Sequence, residues 1–149
     1  MQRALRQAAE AGHRGEIPIG AVILGPDGSS VAEAGNRREG DDDPTAHAEV
    51  LALRAAARRR GDWRLVDHTL VVTVEPCPMC AGAAMLARIS RVVFGAWNPQ
   101  YGAAGSRWDL LRDPRLPHRV VVVPGLADEA CGTLVREFLA DRRGTLEDA

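Results

Sequence analysis

The chain has 149 residues, of which 46% are hydrophobic, enough for one domain with a sizeable core and too apolar for a disordered segment. A formal net charge of -1 and a pI of about 6.4 do not mark a bulk nucleic-acid binder. No run of about 18 apolar residues is present, which excludes a helical membrane span, and three cysteines, an odd number, argue against a disulfide framework and for metal binding or catalysis.

The first predicted element is a helix over residues 2–14, with an apolar stripe of Leu5, Ala8, Ala9 and Gly12. This start lacks the apolar core and cleavage site of a signal peptide, so the expectation is a cytoplasmic protein. "IPIGAVILG" (17–25), the turn "GPDG" and "SSVAEAGN" (29–36) predict a β-hairpin, followed by a polar loop over 36–44. A second helix is expected over 45–60, with Asp43 as its N-cap and Pro44 at its first position. "TLVVTVE" (69–75) is β-branched and reads as a buried central strand. A third helix over 77–88, a strand over 91–97, a glycine-containing loop with a short helical turn, a strand over 119–125 and a closing helix over 126–143 complete the chain. This order predicts a single three-layer α/β/α domain spanning 1–149. The strands at 69–75 and 91–97, joined through a helix, are expected to run parallel with a right-handed crossover.

Two stretches carry chemistry. In "EPCPMCAG" (75–82), Cys77 and Cys80 are three apart and share one side of a helix. The pair reads as a zinc half-site, a thioredoxin-like redox pair, or two buried small side chains. No second Cys-x-x-Cys exists to close a four-cysteine site, and Cys131 stands alone and reads as buried. His13, His68 and His118 read as surface or loop residues. His47 differs, because Glu49 lies two residues on in the first turn of a predicted helix. Inside a helix, residues two apart point in nearly opposite directions. They serve one site only if it lies off the helix end. Two cysteines and one histidine leave a fourth tetrahedral position open, as a catalytic zinc requires. Glu49 then stands beside the metal, placed to move a proton to or from activated water.

"HAE" (47–49) and "PCPMC" (76–80) together form the His-x-Glu and Pro-Cys-x-x-Cys signature of zinc deaminases. "NR" (36–37), "DPTAHAEV" (43–50), "TLVVTVEPCPMCAGAAMLARISRVVFGA" (69–96), "GAAGS" (102–106) and "LADEACGTLVREFLADRR" (126–143) extend the likeness across nearly the whole chain. In these stretches the chain resembles the bacterial tRNA-specific adenosine deaminases. The resemblance implies a five-stranded mixed sheet flanked by helices, usually as a homodimer. It implies one zinc ion held by His47, Cys77 and Cys80, with Glu49 as the catalytic proton shuttle. It also implies hydrolytic deamination of adenosine to inosine at the wobble position of a tRNA anticodon stem-loop.

By the same resemblance, Asn36 hydrogen-bonds the flipped base, and the Ala48 backbone and Ile17 line the pocket. Read without it, Asn36 is a turn residue ending its strand and Ile17 is core. Asn98 stands where the family often carries an acidic residue, in a loop expected to contact the nucleic-acid backbone. A neutral side chain there predicts either a relaxed sugar preference or a different tRNA. Arg37, Arg38, Arg142 and Arg143 are candidate phosphate contacts, while the acidic "GDDDP" (40–44) departs from a phosphate-binding face. Two other functions compete: a deaminase of a free nucleobase or nucleoside such as guanine or cytosine, and a zinc-stabilised binding module without catalysis.

Overall fold

The computed structural model describes the backbone of residues 1–147, with side chains as far as Arg143. The last two residues of the expected 1–149 domain lie outside the described residues. The elements run α1 (Gln2–His13), β1 (Gly20–Leu24), β2 (Ser30–Gly35), α2 (Ala48–Arg60), β3 (Thr69–Val74), α3 (Pro78–Leu86), β4 (Arg91–Ala96), a 3-10 turn (Leu110–Arg112), β5 (Val121–Val123) and α4 (Asp128–Glu147). The strands form one mixed sheet in the order β2-β1-β3-β4-β5. β1 is antiparallel to both β2 and β3, and β3 to β5 run parallel, as expected of strands joined through helices.

Side-chain alternation along the strands builds two separate layers. Ala21, Ile23, Leu70, Val72, Val92 and Phe94 pack with Ala48, Ala52 and Ala56 of α2 and Ala81 and Ala84 of α3. The intervening Val22, Val71 and Val93 turn to the opposite face, where they meet Ala4 of α1. Cys131 of α4 closes the same face, its Sγ lying 3.7 Å from Met1 Sδ. The sheet is therefore covered on both sides, and β3 reads as a continuous apolar run because it is buried on both.

The helix α1 buries Ala4, Ala8 and Ala11, a face of methyl groups only. The expected stripe of Leu5, Ala8, Ala9 and Gly12 is thus rotated, with Ala8 alone in common. The reason is distance. A Cβ on Gly20 would collide with the backbone of Ala4 and Ala8, so α1 lies against β1 too closely for large side chains. The start of α2 also differs from expectation. His47 is its N-cap, and the helix begins at Ala48. Asp43 instead caps a turn, its Oδ1 accepting from the Thr45 N–H and Oγ1–H at 2.7 Å each. That turn closes with the Ala46 N–H on the Asp43 carbonyl at 3.0 Å, and the chain then runs extended at His47, so the helix starts only after it.

The register places one rim of the sheet at the site. Gly20, at the start of β1, pairs with Gly35, at the end of β2, while Val74 and Ala96 pair at the ends of β3 and β4. These four termini lie on the same edge, where the carboxyl ends of parallel strands open toward two helix starts.

Candidate active site and metal centre

Two helix N-termini meet at that rim. His47, the N-cap of α2, has extended backbone angles (φ -72, ψ 148), as does Cys77, the N-cap of α3 (φ -73, ψ 171). Pro78 then occupies the first turn of α3, where its missing N–H costs nothing. Cys80 follows one turn along. His47 Nδ1 stands 3.7 Å from Cys77 Sγ and 3.5 Å from Cys80 Sγ. The three ligand atoms all lie within 4.8 Å of one another. Zinc bonds of about 2.3 Å to sulfur and 2.0 Å to nitrogen, at tetrahedral angles, set N and S roughly 3.5 Å apart. Spacing and donor set therefore fit a zinc ion with one position open.

Glu49 is buried in the first turn of α2. Among the described residues its Oε2 is the one buried side-chain polar atom without a hydrogen-bond partner. An unpaired carboxylate oxygen in the interior is costly and points to a group it is built to meet. Burial pushes the Glu49 carboxyl up to about 7. The hydrogen bond from Cys80 holds the Cys77 thiol down at about 4, with His47 adding to the effect against burial. Cys80, the donor in that pair and itself buried, is pushed up. The Cys77 contact in turn raises His47. A dication among these ligands would draw both thiols down to thiolates and keep the imidazole neutral.

Asn36 follows β2 and is buried; its Nδ2 donates to Glu16 Oε2 at 3.1 Å, and its backbone N–H donates to Ile19 at 2.9 Å. The neighbouring Arg37 N–H donates to Ala46 O at 3.0 Å, tying the end of β2 to the segment that enters His47. Ala48 is fully buried and Ile17 half-buried. Asn98 follows β4; its Oδ1 accepts from the Tyr101 N–H at 3.0 Å, closing a turn of the 97–102 loop. Three of the four charged candidates are already paired, Arg37 with Asp41, Arg38 with Glu39, and Arg142 with the Gly15 carbonyl and the Phe138 ring, while Arg143 is exposed on α4. Two of the histidines expected at the surface or in loops do lie in loops, with their rings against backbone carbonyls. His68 is buried with Nδ1 2.8 Å from Val66 O, and His118 Nε2 lies 2.6 Å from Ile89 O.

Sequence reasoning missed two buried carboxylates. Glu16 accepts from Asn36 Nδ2, from the Glu39 N–H at 3.3 Å and from the Gly40 N–H at 2.7 Å. Glu75 accepts from the N–H groups of Asn98 (3.0 Å), Ala104 (3.0 Å) and Ser106 (2.9 Å) and from the Ser106 hydroxyl. A Cβ on Gly102 would collide with the Glu75 carboxylate, which explains the glycine that opens "GAAGS". The available signal was the placement of a Glu at the end of an otherwise apolar strand, directly before Pro76 and Cys77.

A three-layer sandwich with a His/Cys/Cys cluster at two helix starts and a carboxylate beside it defines the zinc-dependent deaminase class. The model for the cytidine and deoxycytidylate deaminase zinc-binding region matches residues 1–96. The tRNA-specific adenosine deaminase of Bacillus subtilis is 43% identical over 143 residues, 96% of this chain and 88% of that protein. The enzyme of the same name from Haemophilus influenzae is 42% identical over 143 residues, 96% of this chain and 83% of that protein. A structure from work on A-to-I editing by tRNA:A34 deaminases at the wobble position of transfer RNA superposes with a TM-score of 0.86 at 42% identity. It covers 90% of this chain and 96% of that one. A guanine deaminase from Bacillus subtilis superposes with a TM-score of 0.62 at 34% identity, covering 95% of this chain and 90% of that one. The chain belongs to the cytidine and deoxycytidylate deaminase family, in its tRNA-specific adenosine deaminase branch.

Two outcomes follow from the geometry. Elemental analysis of the purified protein is expected to find about one zinc per chain. Cys77→Ser, Cys80→Ser and His47→Ala should each remove most of it. Zinc retention should also weaken as pH falls, because protons compete for the ligands; binding unchanged by all three substitutions would place the metal elsewhere. Glu75→Gln sets an amide NH2 against backbone N–H donors and is expected to lower stability by about 2–4 kcal/mol. Urea unfolding at wild-type midpoint would show that the carboxylate does not hold the 98–106 loop.

Proposed function

We propose that this chain hydrolytically deaminates adenosine to inosine at the wobble position of a tRNA anticodon, as a single cytoplasmic deaminase domain that pairs into a homodimer. The carrying observation is the unpartnered, buried Oε2 of Glu49 beside the His47, Cys77 and Cys80 donor set. A structural zinc site would be closed by a fourth protein ligand, so this arrangement favours catalysis over a binding module. The relatives named for tRNA adenosine deamination support the substrate.

His47, Cys77 and Cys80 would hold the zinc ion, whose chemistry is to acidify water for attack at neutral pH. Glu49 moves the protons. Its carboxylate takes one from the attacking water and delivers it to the purine ring nitrogen as oxygen bonds to C6. It then carries the second to the amino group, and the C6–N bond breaks with release of ammonia. The products are inosine and ammonia, and no external acid or reductant is needed. Asn36 positions the base: Glu16 accepts from its Nδ2, which turns the Oδ1 carbonyl toward a substrate N–H. The Ala48 backbone at the first turn of α2 and the half-buried Ile17 complete the pocket wall, and Asn98 contacts the nucleic-acid backbone beside the flipped base. The base must leave the loop stack to reach this rim, so a single-stranded loop suits the site better than a duplex.

The likeness to a guanine deaminase keeps the free-base reading as the competitor. Homodimer formation is supported by apolar side chains in water at the end of α3 and after α2, where Leu86 is 69% and Trp63 55% exposed. Among the described residues no helix is long and apolar enough to cross a membrane.

Zinc-loaded protein is expected to convert a wobble adenosine in an anticodon stem-loop to inosine, read by mass spectrometry of the digested RNA, and to leave free adenosine, cytidine and guanine unchanged. Glu49→Gln should retain zinc and lose at least about a thousandfold in rate. Turnover of guanine without turnover of the stem-loop would replace the substrate assignment and keep the proton route. Light scattering should return twice the 16.0 kDa chain mass, and a monomeric mass at assay concentration would remove the homodimer.

A further inference from the structure

The segment 97–108, "WNPQYGAAGSRW", exposes three aromatic rings within twelve residues. Trp97 is 46%, Tyr101 62% and Trp108 46% exposed. Such rings usually lie inside, and each leaves a large apolar face in water. The loop that carries them is held firmly. Glu75 binds three of its N–H groups and a hydroxyl, and the Ala103 N–H donates to Pro76 O at 2.8 Å, one residue before Cys77. The loop is therefore tied to the backbone immediately before the ligand Cys77.

Trp97 is braced through its ring, Tyr101 and Trp108 through their backbone. Trp97 stands edge-on to Phe94, with centroids 5.0 Å apart, and its ring passes over Gly105. The Gly105 N–H donates to the Trp108 carbonyl at 2.9 Å, so both tryptophans flank one glycine. Tyr101 sits on the turn closed by Asn98. Residues 97–108 contain no acidic side chain; their one charge is Arg107, whose guanidinium lies 5.9 Å from the Trp108 ring centroid. Fixed aromatic faces with a cation and no anion match the requirements of an unpaired nucleotide: a π-face to stack on and a neutral or positive path for its phosphate.

We infer that Tyr101 and Trp108, with Trp97 bracing the loop, form a stacking platform for the unpaired bases flanking the reacting adenosine. This inference rests on the stem-loop reading of the function and adds to it the residues that recognise the loop around the target. A loop held in place before binding loses little backbone freedom when a base stacks on its rings, which favours affinity for a splayed loop over a bare nucleoside.

The test uses zinc-loaded full-length protein and two RNA stem-loops with a wobble adenosine, one intact and one with abasic residues on both sides of the target. Tyr101→Ala and Trp108→Ala are each expected to lower kcat/KM on the intact RNA about tenfold, through KM with kcat retained. Tyr101→Phe and Trp108→Phe should restore most of it, because the π-face returns. On the abasic RNA the wild type should fall to the level of the alanine variants, and those should fall little further. Intact-RNA kinetics equal to wild type in both alanine variants, or a loss that persists undiminished on abasic RNA, would overturn the inference alone. So would a change of oligomeric mass by light scattering, which would assign the rings to a contact between two copies of the chain. Absence of any stem-loop turnover by the unmodified protein would overturn the proposed function and this inference together.

Discussion

The site exists because two helices begin at one point. A helix start is the one place in an α-helix where residues at the cap and two positions beyond it can address a common centre along the axis. His47 and Glu49 exploit this in α2, while Cys77 and Cys80, three apart, share one side of the first turn of α3. The same positions carry the positive end of each helix dipole and the first-turn amides that lack intrahelical partners, both of which favour thiolate and carboxylate. Bringing the two starts together requires the helices to lie close to each other on one face of the sheet without interposed bulk. The buried faces supply that: Ala48, Ala52 and Ala56 in α2, and Ala81 and Ala84 in α3. A branched side chain at any of these would push one N-terminus away from the other and open the cluster.

Around that point the chain has little regular structure, and the backbone must still satisfy its N–H groups. Two buried carboxylates do this from within. Glu16 gathers the 36–40 segment and Glu75 the 98–106 segment. Each takes donors from residues far away in sequence, so each fixes a loop to the sheet rim in a way no local turn achieves. Desolvating a carboxylate is expensive, and three or four charge-assisted hydrogen bonds offset it. The result is a rigid rim, with Asn36 on one side and Asn98 on the other side of the metal cluster.

The fold was legible where period and composition speak. The β-branched runs named β3 and β4, the CxxC after β3 marked the second helix start, and the order of elements predicted a three-layer α/β domain, while the five-stranded mixed sheet came from the family resemblance. The metal cluster was legible because donor chemistry and spacing are local properties. Three things were not. The buried stripe of α1 is set by the clearance over Gly20 rather than by hydrophobicity, so Leu5 misled and Ala4 and Ala11 were overlooked. The first turn of α2 was assigned to Asp43 because Asp caps well, yet that Asp serves Thr45 and the His itself is the cap. Glu16 carries no local signature, and Glu75 only its place at the end of an apolar strand, since the partners of both lie far away in sequence, up to 31 residues for Glu75.

A net charge of -1 sits awkwardly with a polyanionic substrate, and the arginines sharpen the point. Arg37 and Arg38, beside the site, are engaged by Asp41 and Glu39. Such exposed pairs contribute little stability and can exchange a carboxylate for a phosphate at small cost. Their long-range field, however, is largely cancelled, so electrostatic steering toward RNA is weak. Under the proposed function, recognition must then come from short-range terms: a base unstacked into the pocket at Asn36 and Glu49, and the shape of the loop around it. Single-stranded loops offer those contacts and duplexes do not. A chain with this charge balance is thus better suited to selecting one splayed loop than to holding nucleic acid in general.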